Sequence, residues 1–183
     1  VKGNMKGVIF NLLEDAVSAE HGAEAWADLL DLAALDGSYF SLGSYPDAEL
    51  LAIVDHASIM LAAPPAQILR WFGQRAIPLL AERFPPLFGH HKSARSFILS
   101  VNDMIHPEVR KLYAGAACPR FHFHDTDDGR LAMAYQSRRQ LCHLAHGFID
   151  GAAAHYGEAI TVDHLACTHH GDPVCRLALG WHG

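Results

Sequence analysis

The sequence predicts an α+β fold, with a mostly helical N-terminal part packed on a C-terminal four-stranded antiparallel sheet with helices. Three observations carry this expectation. Apolar residues recur at three- and four-residue steps through the first half of the chain. After Pro119 they alternate with a period of two. The expected strands then come as two hairpins, without a repeating βαβ rhythm. At 183 residues, 50% apolar and 19% charged, the chain can bury one real core and lies outside the disordered range. It reads as one domain over residues 5–183, divided into a helical N-terminal subdomain (5–65) and a C-terminal subdomain (66–183).

Val8, Ile9, Leu12 and Leu13 with Ala16 and Val17 define a first helix, and Trp26, Leu29, Leu30 and Ala33 a second. Asp36-Gly37-Ser38 and Gly43-Ser44-Tyr45 punctuate the region, and Pro46-Asp47 opens a third helix through Leu50, Leu51, Ile53 and Val54. Pro64-Pro65 breaks the chain. Ile68, Leu69, Trp71 and Phe72 predict a helix up to Gly73, and a second one running to Phe84-Pro85-Pro86. Residues 96–104 are apolar enough to be buried. Phe121 and Phe123 face one way and Arg120, His122 and His124 the other, which is a strand; Asp125-Thr126-Asp127-Asp128-Gly129 supplies a hairpin turn, and residues 130–137 return beside it. Residues 138–156 read as a helix. Residues 159–167 and 173–181 form a second hairpin around His169-His170-Gly171-Asp172. Val1 to Asn4 precede Met5-Lys6-Gly7, which reads as a natural start, so residues 1–4 are expected to be an extension outside the fold.

A net charge of −6, from 14 Lys+Arg against 20 Asp+Glu with no basic run, argues against a nucleic-acid partner. No apolar stretch approaches the roughly 20 residues needed to span a bilayer, so no membrane association is expected. Four Cys in a chain of this length, without a secretory signal, point to a reducing cytoplasm. No nucleophile–base pairing is apparent, so the chain is not expected to be an enzyme.

Tyr135, Ser137 and Arg139 stand at i, i+2 and i+4, which on an extended chain puts them on one face. Two hydroxyls and a planar guanidinium suit a ligand carrying carboxylates; a solvated edge strand is the other reading of the same spacing. Cys142, Cys167 and Cys175 lie toward the C-terminus with His164 three residues before Cys167. Three thiolates and one imidazole can close a structural zinc site, and buried free thiols are the alternative. His169 and His170 compete with His164, which is preferred because a turn-borne pair is more often solvated. Cys118 stands apart.

Tyr135-Gln136-Ser137-Arg138-Arg139 resembles the Tyr-x-Ser-x-Arg signature of the H-NOX haem domains, which bind nitric oxide or dioxygen. Met5-Lys6-Gly7-Val8-Ile9-Phe10-Asn11 is similar to that family's start, and residues 105–113, from Ile105-His106-Pro107 to Leu112-Tyr113, to its proximal segment. The resemblance covers nearly the whole chain from Met5. It implies haem b between the helical part and the sheet, with its propionates held by Tyr135, Ser137 and Arg139. It also implies His106 as the axial iron ligand and Pro119 against the porphyrin. Ile105, Val109 and Leu112 flank His106 at helical spacing and are expected to anchor its helix in the core. The family's dioxygen binders carry a distal Tyr where this chain has Leu144. Ala76 stands near the position of a supporting polar residue, and Ile9, Leu13 and Leu80 are expected as apolar lining.

The resemblance therefore implies a sensor of nitric oxide that also binds carbon monoxide and discriminates against dioxygen. Its signal would pass through release of His106 to a separate effector, a histidine kinase or a cyclic-di-GMP enzyme. Some bacterial members carry zinc at positions matching Cys142, His164, Cys167 and Cys175. Residues 167–175 also resemble the ending of vinyl-reductase-type small-molecule-binding domains, which implies a regulatory module with the zinc site and no haem. That second likeness leaves His106 and residues 135–139 without a role.

Overall fold

The computed structural model describes residues 3–182. Two short strands start the two principal N-terminal helices. β1 (Asn4–Lys6) runs directly into α1 (Gly7–His21), and β2 (Ser44–Pro46) into α3 (Asp47–Met60). The strands pair antiparallel with Met5 opposite Tyr45. Asn4 lies opposite Pro46, and the Asp47 N–H donates to the Gly3 carbonyl at 2.9 Å. Residues 3 and 4 are thus part of the fold, contrary to the expectation that residues 1–4 lie outside it. Three-residue strands are too short for alternation to reveal them. Between them runs α2 (Ala23–Leu32). Phe10, Leu12, Leu13, Trp26, Leu29, Leu50, Ile53 and Val54 bury their side chains against Ile68, Leu69 and Phe72 of the next helix.

That next helix, α4, is continuous over Pro65–Arg83 and passes through both Gly73 and Pro78, so the two separate helices expected from Gly73 are one. Gly73 marks a close contact. A Cβ there would lie 2.4 Å from the Leu144 carbonyl oxygen, and one at Gly147 would lie 2.0 Å from the Arg70 carbonyl oxygen. The two glycines let α4 and α8 (Cys142–His155) approach backbone to backbone.

Two short helices, α5 (Pro85–Gly89) and α6 (Ala94–Leu99), lead to a π-helical turn at Val101–Ile105, which feeds α7 (His106–Leu112). Ser93 caps α6 by accepting from the Ser96 N–H. The C-terminal sheet is antiparallel, in the order β3 (Arg120–Asp125), β4 (Leu131–Gln136), β6 (Cys175–His182), β5 (Ala159–Ala166). Both expected hairpins form, and β6 also joins β4. Leu131, Met133, Leu177 and Leu179 point into a second core shared with α6, α8 and Ile77 of α4. The strand β4 stops at Gln136. Residues 137–140 form a turn in which Gln140 takes a positive φ of 55°, so the helix expected from residue 138 starts only at Cys142. The α+β architecture is the one the sequence predicts.

Candidate functional site

An apolar cavity of about 280 Å³ lies between the N-terminal helices and the sheet. Helix α1 contributes Val8, Ile9 and Leu12, α4 contributes Leu80, and α8 contributes Leu144 and Phe148. The sheet contributes Phe121, Phe123, Met133 and Tyr135; Phe121 sits opposite Tyr135 and Phe123 opposite Met133, so alternate residues of two paired strands make one wall.

α7 and the π-helical turn close another side through Ile105, His106, Val109 and Leu112. Neither element has a buried residue, and Leu112 is 49% exposed. Ile105 and Val109 are partly buried and pack against the two apolar cores, as their spacing leads one to expect, and Leu112 is the exposed exception. Their apolar side chains face the cavity, and filling it would bury them. His106 is the first residue of α7, and its ring lies 5.9 Å from that of Phe121 in a stacked arrangement. Its Nδ1 is buried without a hydrogen-bond partner. Burial, together with the Arg110 charge, pushes the His106 pKa down to about 4, so the imidazole is neutral at pH 7. The segment is tied to the sheet by Asn102, whose side-chain amide donates to the Phe121 carbonyl at 2.6 Å while its oxygen accepts the Phe121 N–H at 3.1 Å.

Tyr135, Ser137 and Arg139 all line the cavity although only Tyr135 is on the strand. The turn keeps them together. The Tyr135 hydroxyl accepts the Leu141 N–H at 3.1 Å, and Ser137 Oγ accepts the Arg139 N–H at 3.2 Å. The Arg139 Nε–H is shared between both Asp47 carboxylate oxygens, at 3.1 and 3.0 Å, and its two amino groups donate to the Ala117 and Asn4 carbonyls. Three of its five N–H groups are thus used, and two are free for an incoming acceptor. Asp47 is the buried partner that sequence reasoning missed. Its position 92 residues away left no local signal.

Pro119 and Cys118 line the same cavity, from the segment entering β3. So does Tyr113, at the C-terminal end of α7 and also unforeseen. Leu13 does not. It faces the opposite side of α1, toward Val17, Ile53 and Trp71, and Leu12 takes the cavity position instead. Ala76 is fully buried and outside the lining. The haem that the sequence resemblance implies fits this donor set: an apolar slot, an unpartnered neutral imidazole facing it, and hydroxyl and guanidinium donors at its edge.

A second cluster lies where the N-terminus of α8 meets the β5–β6 hairpin. One ligand atom each from Cys142, His164, Cys167 and Cys175 lies within 4.8 Å of the others. The Cys142 and Cys167 sulfurs are 3.7 Å apart, close to the ~3.8 Å edge of a tetrahedron with metal–sulfur bonds of about 2.3 Å. His164 continues the inward alternation of Ile160 and Val162 along β5, and the irregular pairing between His164 and Ala166, with Leu165 61% exposed, directs Cys167 inward as well. The Nε2 of His164 is buried and unpartnered. Burial and the neighbouring thiols push the Cys142 pKa up. At Cys175 burial acts in the same sense but is outweighed by donors from Thr168, at 3.3 Å to the sulfur, and by the other thiols, so its pKa falls.

Comparison with known proteins bears on this site. The family model described as haem-NO-binding matches residues 6–164. An H-NOX protein from Shewanella oneidensis, crystallised in the Fe(II)NO ligation state, is 34% identical with a TM-score of 0.92, over 98% of this chain and 100% of that one. An H-NOX from Shewanella woodyi, solved in solution in the Fe(II)CO state with a bound compound, is 29% identical at a TM-score of 0.80, over 96% and 93% of the chains. An unliganded Fe(II) H-NOX from K. algicida is 23% identical at 0.83, over 98% and 97%, and shares the fold.

Proposed function

The chain belongs to the haem-NO-binding family of H-NOX gas-sensor domains, and from that premise we propose that it senses nitric oxide at a ferrous haem b held in the apolar cavity. The observation that carries this is His106: a neutral imidazole, its Nδ1 buried without a partner, facing a cavity whose polar edge is Tyr135, Ser137 and Arg139. Bound haem supplies the metal to which the gas coordinates and the propionates that the edge residues hold. His106 would hold the iron through its imidazole. Arg139 offers its two free N–H groups to a propionate, with Tyr135 and Ser137 beside it. Pro119, in the cavity lining, would pack against the bound group. The rival reading as a small-molecule module without haem gives none of these residues work to do.

Leu144, with Ile9 and Leu80, gives the gas an apolar surround. Bound dioxygen draws charge from iron and gains from a donor, whereas nitric oxide and carbon monoxide do not need one; the missing hydrogen bond is worth about 1.5–3 kcal/mol, roughly ten- to a hundredfold in affinity. Tyr113 adds a hydroxyl to the lining, but it stands seven residues after His106, just past the end of α7, which places it with the proximal segment.

Nitric oxide at the iron would release His106, and with it the segment Val101–Leu112, whose residues are at most partly buried. The N-terminal subdomain (5–65) then turns against the remainder (66–183), with Asn102 passing the change to β3 and Arg139 bridging the two parts. A separate effector, a histidine kinase or a cyclic-di-GMP enzyme, reads this movement, and the chain itself is a sensor and not an enzyme. Cys142, His164, Cys167 and Cys175 hold a structural zinc ion. Among the described residues no single helix is long and apolar enough to cross a membrane. The electronic spectrum of the purified protein tests the central reading. An intense Soret band that moves with nitric oxide and disappears or shifts in His106→Gly is expected; a protein unable to take up haem would overturn it.

A further inference from the structure

A second group of metal-ligating side chains adjoins the four-residue set and shares one member with it. Cys142, His143 and His169 also offer ligand atoms that all lie within 4.8 Å of one another. Cys142 is thus common to two donor sets, one closed and buried, the other opening to solvent through His169. We propose that Cys142 bridges two divalent metal ions, the second held by Cys142, His143 and His169 with an open position toward solvent. This rests on the reading that the four-residue set binds zinc.

The chemistry of each donor supports the bridge. A thiolate sulfur has lone pairs enough to bind two ions at once. Zinc with three thiolates and a neutral imidazole carries a net charge of −1, so the first centre attracts a second cation. His169 Nε2 lies 2.7 Å from the Gln140 carbonyl oxygen, which can only accept. The proton is therefore on Nε2 and the lone pair on Nδ1. A backbone carbonyl that holds the second ring nitrogen in this way is the usual support of a metal-binding imidazole. His143 stands between the two sets, its ring 5.7 Å from that of His169 and 5.2 Å from that of His164. Two imidazoles and one thiolate select zinc or another late first-row divalent ion and not magnesium or calcium. With three protein ligands, the second ion has room for a small fourth ligand at the surface.

The test is zinc stoichiometry. The full chain, stripped with a chelator under reducing conditions, is dialysed against a solution buffered at micromolar free zinc, and metal per chain is measured by elemental analysis. Two zinc ions per chain are expected, falling to one in His143→Ala/His169→Ala and in the exposed single variant His169→Gln, with the Cys175→Ser variant losing the buried ion. Cobalt replaces zinc as a spectroscopic probe; the sulfur-to-cobalt absorption should grow again with the second equivalent, and this second rise should be absent from the double variant. One zinc ion in both the parent and the double variant overturns the bridge and leaves the four-residue site standing. Two in both places the extra ion on other histidines and also overturns it. None in the parent overturns both readings.

Discussion

Replacing Asp47 by Ala removes the carboxylate that shares the Arg139 Nε–H and leaves a guanidinium in a site where the Arg139 side chain is 13% exposed and Asp47 was 11% exposed. Breaking one half of a well-buried ion pair costs about 3–5 kcal/mol, mostly because the surviving charge keeps its desolvation penalty. Arg139 retains the Ala117 and Asn4 carbonyls, which places the expected loss near the lower end, about 3 kcal/mol. For a urea slope of roughly 2 kcal/mol per molar, that moves the unfolding midpoint down by about 1.5 M. Arg139→Ala should cost at least as much, since it strands Asp47, and it should lower haem retention as well. The double variant Asp47→Ala/Arg139→Ala should recover part of the loss, because neither charge is then left alone. The assay is urea unfolding of all four proteins, with haem content read from the Soret band. If Asp47→Ala costs less than about 1 kcal/mol, or the double variant shows strictly additive losses, the pair is solvent-relaxed and the reasoning fails.

His106→Gly should keep the fold and accept added imidazole as a substitute ligand; an unchanged axial-ligand spectrum would show that His106 is not the ligand. The ferrous protein should bind nitric oxide and carbon monoxide and form no stable oxygen complex in air. Leu144→Tyr should raise oxygen affinity by no more than about tenfold, because Ala76 gives the new hydroxyl no support; a stable oxygenated spectrum in the unmodified protein would contradict the role of Leu144. At saturating nitric oxide the spectrum should report loss of the His106 bond and the solution scattering profile should change, and retention of that bond with an unchanged profile would rule out release as the signal. Gly147→Ala should lower the unfolding midpoint by the equivalent of about 1–3 kcal/mol, since its Cβ would meet the Arg70 carbonyl; a neutral effect would mean that α4 and α8 can separate freely.

Much of this was legible because it depends on neighbours along the chain. The alternation of Phe121 and Phe123, the acidic turn after them, and the helical spacing through α1 and α3 are local properties, and the elements form where those patterns lie. Tyr135, Ser137 and Arg139, which the spacing placed on one face of a strand, line one cavity, although the last two reach it from a turn and not from the strand. Gly73 was misread as a break because a glycine in a helix is locally unfavourable; only the approach of α8 shows that the missing side chain is what lets the two backbones meet. Leu12 and Leu13 are equally apolar neighbours, and the direction in which α1 packs decides which of them faces the cavity.

By itself the sequence determined the type and order of the elements and the chemistry available to them: an imidazole before a proline, two hydroxyls and a guanidinium at alternate positions, and three thiols with a histidine. Those follow from short-range sterics, hydrophobic period and side-chain identity. The tertiary structure alone decided the pairing of β4 with β6, the seating of Asp47 on Arg139, the cavity left unfilled between helices and sheet, and the gathering of Cys142 with His164, Cys167 and Cys175. Each of these joins residues far apart in the chain. Its free energy comes from burial and from pairing charges and donors across that distance, quantities that no local pattern encodes.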